Sequence, residues 1–190
     1  MMASAKREQL IETALKLFYR QGFHATGIDA IIAESGVARM TLYKHFKSKD
    51  DLILAVLRRR DERFRIWFTR AVERRASSPG DRLLAVFDAL EEWFRQPDFS
   101  GCMFINASAE FADPANPIHK TAAEHKILMR RYLTGLARDA GAPDPEMLGN
   151  SLALLAEGAI VMRHVGGDAS AATQAGAAAA VLIKAAMAPR

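Results

Sequence analysis

The sequence predicts an all-α protein: an N-terminal three-helix helix-turn-helix domain followed by a larger helical domain. Three observations carry that expectation. Apolar residues recur at helical spacing in nearly every segment, no segment keeps a period of two, and Gly- and Pro-rich breaks separate the periodic stretches. A chain of 190 residues can hold one or two domains and bury a substantial core.

In the first helix Leu10, Ile11, Ala14, Leu15 and Phe18 share helical spacing, Lys6, Glu8, Glu12, Lys16 and Arg20 take other faces, and Gly22 terminates it. A second, short helix is expected from about Gly27 to Glu34, with Thr26 capping it and Asp29 completing an S/T-x-x-D/E pattern. Gly36 follows, then a third short helix at about Ala38–His45. Ser48-Lys-Asp-Asp51 repeats the capping grammar and opens a long fourth helix, with acids where the helix dipole favours them. Its stripe of Leu52, Ile53, Val56, Leu57, Phe64, Trp67, Phe68 and Ala71 runs to the break at Ser77-Ser78-Pro79-Gly80. Further helices are expected at about 81–96, 102–112, 118–140, 145–165 and 169–187.

Composition narrows the function classes. Half of the residues are apolar and a quarter charged, as in ordinary soluble domains. The longest apolar run, Ala175–Ile183, is about half the ~20 residues a spanning helix needs, and residues 1–7 lack a signal-peptide core. A single cysteine, Cys102, leaves no internal disulfide and no cysteine-built metal cluster; a cytoplasmic protein is expected. Charge is uneven. Residues 1–60 carry 11 Lys/Arg against 6 Asp/Glu, whereas residues 61–190 carry 15 against 16, so the positive excess sits at the N-terminal end. That pattern suits an anionic partner there, nucleic acid or an anionic membrane surface.

The informative stretch is Thr26 to Leu52. Two short helices joined by Ser35-Gly36-Val37 have the length and turn chemistry of a helix-turn-helix, with Val37, Ile28, Ile31, Ile32 and Leu42 in a small core alongside Leu15 and Phe18. The third helix then faces outward with Arg39, Met40, Thr41, Tyr43 and Lys44, a mixture that suits a major groove. Lys47 and Lys49 add charge at the next helix start, where backbone N–H groups favour phosphate. Taken singly, Arg39, Lys44 and Lys49 also read as solvated charges, and Tyr43 as a packed aromatic.

Gly36-Val-Ala-Arg-Met-Thr-Leu-Tyr43-Lys-His-Phe46-Lys-Ser-Lys-Asp-Asp-Leu52 resembles the signature of the tetracycline-repressor (TetR) family of transcriptional regulators, and Ala14-Leu-Lys-Leu-Phe18, Gly22-Phe23 and Thr26 fit the same pattern upstream. The motif covers about residues 6–58. The resemblance implies that Thr26, Tyr43 and Lys47 contact DNA phosphates while Arg39, Met40, Thr41 and Lys44 face base edges, phosphate contacts setting register and base contacts sequence. Two positions depart from it: Ala38 stands where a hydroxyl residue is common and Met40 where glycine is. The resemblance further implies a DNA-binding domain over residues 1–50 and a ligand-binding, dimerisation domain over 51–190. Its last two helices would pair with a second subunit, with Leu152, Leu154, Leu155, Ala159, Ile160 and Met162 as an apolar surface.

The implied function is a dimeric repressor, released from a palindromic operator by a small-molecule effector. Trp93, Phe94, Phe104, Phe111, Met129 and Tyr132, with Asn106 and Glu110 as orienting polar groups, are candidates for the pocket; ordinary core packing is the competing reading for each. No cofactor is expected. His119 and His125 are spaced six apart, off one helical face, so no metal site is expected either, and no catalytic set points to an enzyme. An activator, a ligand-independent regulator, a non-specific DNA binder and a helical enzyme are the alternatives.

Overall fold

A computed structural model describes residues 2–188. Among the described residues there are nine helices and no strand: α1 (Met2–Gln21), α2 (Ile28–Ser35), α3 (Arg39–His45), α4 (Lys49–Arg75), α5 (Pro79–Phe94), α6 (Met103–Glu110), α7 (Pro117–Asp139), α8 (Pro145–Val165) and α9 (Ala171–Ala186). The breaks read from sequence fall where the helices end. Ser48 accepts from the Asp51 N–H at 3.1 Å, and Asp51 accepts from the Lys47 N–H at 3.1 Å, so the expected cap of α4 forms. Ser78 caps α5 by the same logic, with Pro79 in the first turn.

The chain forms two compact units, Met1–Arg63 with Cys102–His125, and Phe64–Gly101 with Lys126–Arg190; α4 and α7 each run from one into the other. These units differ from a division at residue 50, because α6 and the start of α7 fold with the N-terminal helices. Contacts spanning more than sixty residues, such as His125 Nδ1 to Asp61 Oδ1 at 2.7 Å, leave no mark on local sequence pattern.

In the first unit Leu10, Ile11, Ala14, Phe18, Phe23, Ile31, Val37, Leu42, Phe46, Leu52, Ile53, Val56 and Leu57 are buried. Leu17 takes a buried place while Leu15, expected in the core, is only half-buried, as are Ile28 and Ile32. His125 is buried with its ring stacked on Phe104 at 3.7 Å between centroids.

In the second unit α5 packs on α8 and α9. Leu83, Val86, Phe87, Leu90, Trp93 and Phe94 of α5 are buried, and α9 meets them through Ala171, Ala172, Ala175 and Ala179. Small side chains let the axes approach: a Cβ on Gly176 would lie 3.2 Å from that of Phe87. Of the apolar surface expected on α8, Leu152, Ala159 and Ile160 are buried, whereas Leu154 and Met162 are exposed, joined on the outside by Val161 and Val165.

α7 and α8 approach closely at Gly149. A Cβ on Gly149 would lie 2.5 Å from Thr134 Oγ1 and 2.6 Å from its Cα, so a methyl group there must force the helices apart. Gly149→Ala is therefore expected to lower unfolding free energy by about 1–3 kcal/mol in urea titrations. Gly135→Ala, whose added carbon meets nothing within 4 Å, should be neutral or stabilising by up to about 1 kcal/mol. Equal effects from the two would contradict this packing.

Candidate nucleic-acid interface

The turn between α2 and α3 is built from short-range chemistry. Gly36 takes a left-handed conformation (φ 64°) and its N–H donates to the Ile32 carbonyl, ending α2. Val37 then turns inward and is buried, its N–H donating to Ser35 Oγ at 3.3 Å. The Gln9 amide donates to the Ser35 carbonyl at 2.7 Å and ties the turn to α1. Ala38 at the start of α3 supplies no side-chain acceptor, so this N-terminus has no side-chain cap. α3 buries one residue, Leu42, and is followed by the buried Phe46.

Everything else on α3 faces out or to the edge. Met40 is 73% exposed, Tyr43 is 46% exposed, Arg39 and Lys44 are exposed, and Thr41 is half-buried. Tyr43 is thus not a core aromatic. Arg39 forms an ion pair with Asp29 of α2. Lys47 is exposed, its backbone held by the α4 cap, and Lys49 Nζ donates to the His24 carbonyl at 3.4 Å. The surface so formed carries guanidinium, ammonium, hydroxyl and thioether groups together, which match phosphate oxygens, guanine acceptors and thymine methyls.

Thr26 behaves differently from its expected role as a cap. α2 begins one residue later than expected, with Gly27 at its N-cap and no side-chain bond there. Thr26 instead points inward, fully buried, and its hydroxyl donates to the Gly22 carbonyl at 2.7 Å. Burying a hydroxyl requires a partner, and the end of α1 offers one. Asp29, freed from a capping box, is the residue that pairs with Arg39.

A second device was not legible in the sequence. Glu110, the last residue of α6, accepts from the Phe23 N–H at 2.8 Å and the His24 N–H at 2.6 Å. The carboxylate therefore holds the turn that follows Gly22, itself left-handed at φ 89°. Phe111 packs edge-on to Phe23 at 6.1 Å and against His24 at 4.8 Å. Glu110 and Phe111 are thus spent on the α1–α2 turn, which removes the Glu110 carboxylate from the polar pair suggested with Asn106.

The candidate pocket residues do not all share one compact unit. Phe104, Asn106, Glu110 and Phe111 belong to the first, and Trp93, Phe94, Met129 and Tyr132 to the second. In the second unit Trp93 meets Phe64 at 4.8 Å and Phe99 at 5.1 Å, and Phe68 meets Tyr132 at 6.2 Å, forming a continuous aromatic cluster. Burial pushes the Tyr132 phenol above its ordinary pKa. No group of three or more metal-ligating side chains occurs among the described residues, and none of their helices is long and apolar enough to cross a membrane.

An outward-facing second helix of a helix-turn-helix, on an all-α chain, is the arrangement found in DNA-binding transcriptional regulators. Comparison with known proteins makes this specific. Residues 10–56 match the family of bacterial regulatory proteins described as tetR, and residues 79–179 match the tetracyclin repressor-like C-terminal domain. The chain belongs to the TetR family.

A TetR-family transcriptional regulator from Streptomyces coelicolor, known from its crystal structure, superposes with a TM-score of 0.89 at 33% identity, covering 97% of each chain. The HTH-type transcriptional regulator YjdC of Escherichia coli is 25% identical over 155 residues, 82% of this chain and 81% of the relative. The HTH-type transcriptional activator FasR of Mycolicibacterium smegmatis is 33% identical over 122 residues, 64% of this chain and 52% of the relative.

Removing the Glu110 carboxylate leaves two backbone N–H groups to find other acceptors. Glu110→Ala is expected to destabilise the protein by about 1–3 kcal/mol, and Glu110→Gln, which keeps one acceptor oxygen, by less. Thermal or urea unfolding reads both. An unchanged midpoint for the alanine variant would show that the clamp contributes nothing.

Proposed function

We propose that the protein is a dimeric repressor that holds a palindromic operator through α3 and releases it when a small molecule binds the C-terminal domain. In this reading residues 1–50 carry the DNA-binding function and residues 51–190 the effector and dimer functions. The observation that supports it most is the outward face of α3, where Arg39, Met40, Tyr43 and Lys44 are exposed on a helix that buries only Leu42. Arg39, Met40, Thr41 and Lys44 meet base edges; Tyr43 and Lys47 meet phosphates. Thr26, which the family resemblance makes a phosphate contact, is fully buried and takes a supporting role instead, through its bond to Gly22.

A single short helix makes few contacts, and two-fold pairing supplies two of them, about 34 Å or a multiple apart. The exposed apolar face of α8, with Leu154, Val161, Met162 and Val165, and the exposed Val181 and Leu182 of α9, are the surfaces that pairing would cover. The aromatic cluster of the second unit, with the Tyr132 hydroxyl as donor, is the apolar lining an effector would use. α4 carries the response, because it begins beside Lys47 and continues into the second unit. An effector with unequal affinity for two orientations of α4 shifts the population that can span both half-sites.

Activation is the second reading, favoured by the relative that is named an activator. The sign of control does not alter the binding chemistry.

The test is binding to duplex DNA from the region upstream of the protein's own coding sequence, against a scrambled duplex. Discrimination of ~10³-fold or more is expected for the wild type. Arg39→Ala should mainly erode that ratio, whereas Lys47→Ala should weaken both complexes and flatten the salt dependence. Equal affinity for all duplexes would overturn operator recognition.

A further inference from the structure

Arg39 pairs with Asp29 across the turn between α2 and α3. Asp29 sits in the first turn of α2 and Arg39 at the first position of α3, so the turn brings together two charges ten residues apart. Their side chains are 80% and 55% exposed. An ion pair so open to water contributes little to stability. What it does is place a carboxylate beside the guanidinium at the edge of the surface that α3 presents. One terminal nitrogen of the guanidinium is engaged by the carboxylate, on a planar fork that carries five N–H donors in all.

We propose that Asp29 is a positioning residue for sequence discrimination: it biases the Arg39 guanidinium toward the paired arrangement and opposes its capture by phosphate. This inference rests on the reading of α3 as the helix that meets base edges. An unrestrained arginine next to a duplex finds phosphate oxygens at every step and gains affinity without regard to sequence. With a carboxylate alongside, the local charge is close to balanced, and the general phosphate attraction of Arg39 is largely cancelled. Guanine offers two acceptors in the plane of the base edge, a geometry that a pre-oriented fork meets with less loss of side-chain freedom. Asp29 therefore lowers affinity for arbitrary DNA more than affinity for a duplex with guanine at the matching position. Specificity of this kind comes from a repulsive element as well as an attractive one.

The experiment uses the full chain and a duplex library with a randomised core, enriched on the wild-type protein. The enriched duplex and a scrambled version are then titrated against wild type, Asp29→Ala, Arg39→Ala and the double variant, all checked for matching thermal unfolding. Asp29→Ala is expected to tighten the scrambled complex and to reduce the enriched-to-scrambled affinity ratio by at least about threefold. In the Arg39→Ala background the same substitution should leave the ratio unchanged. Equal tightening of both complexes would reduce Asp29 to a plain repulsive charge and overturn the proposal, as would no change in either, or a loss of ratio that persists without Arg39. If the wild type enriches no sequence at all, the reading of α3 itself fails, a result separate from any behaviour of Asp29.

Discussion

α3 is seven residues long, and an isolated helix of that length has no stability in water. It exists because Leu42 enters the small core under it, while Val37 before it and Phe46 after it anchor the two ends. Ala38 gives no capping bond to offset this, so the burden falls on packing. Three buried side chains thus leave the rest of the helix free to meet a partner. The exposed Met40 and Tyr43 are apolar area that the protein alone does not cover; under the proposed function DNA covers it in the complex.

The core that carries α3 extends beyond the first three helices. Glu110 reaches the backbone N–H groups of Phe23 and His24, and the pair of His125 with Asp61 joins α7 to α4 beside Phe104 of α6. A displacement of α6 cannot leave the α1–α2 turn where it is without breaking two charge-assisted hydrogen bonds. Under the proposed function this gives an effector response a second material route within the first unit, alongside α4. Neither route requires contact between the effector and α3.

Helices were legible because their signals are local. The period of the apolar stripe, Gly22 and Gly36 at left-handed positions, and Ser48 with Asp51 each act within a few residues, and the structure follows them. The outward surface of α3 was legible for the same reason: with Val37 and Leu42 inward, helical geometry fixes where Arg39, Met40, Tyr43 and Lys44 point. Thr26 went otherwise because α2 starts one residue later, which changes the hydroxyl from a helix cap into a partner for Gly22. Glu110 was hidden by distance, since its partner Phe23 lies 87 residues away in the chain. Leu152 and Leu154 are both leucines two apart on α8, one buried and one exposed, and only the placement of α5 and α9 decides which.

The central claim, that the exposed face of α3 lies against bases in a groove, is tested most directly by photo-crosslinking. Thymines of an enriched duplex are replaced one at a time by 5-iodouracil, and the attached peptide is identified after digestion with trypsin. Attachment is expected within the fragment Met40–Lys44, at Met40, from a few adjacent positions in each half-site. Attachment only to peptides outside residues 26–49 would contradict it.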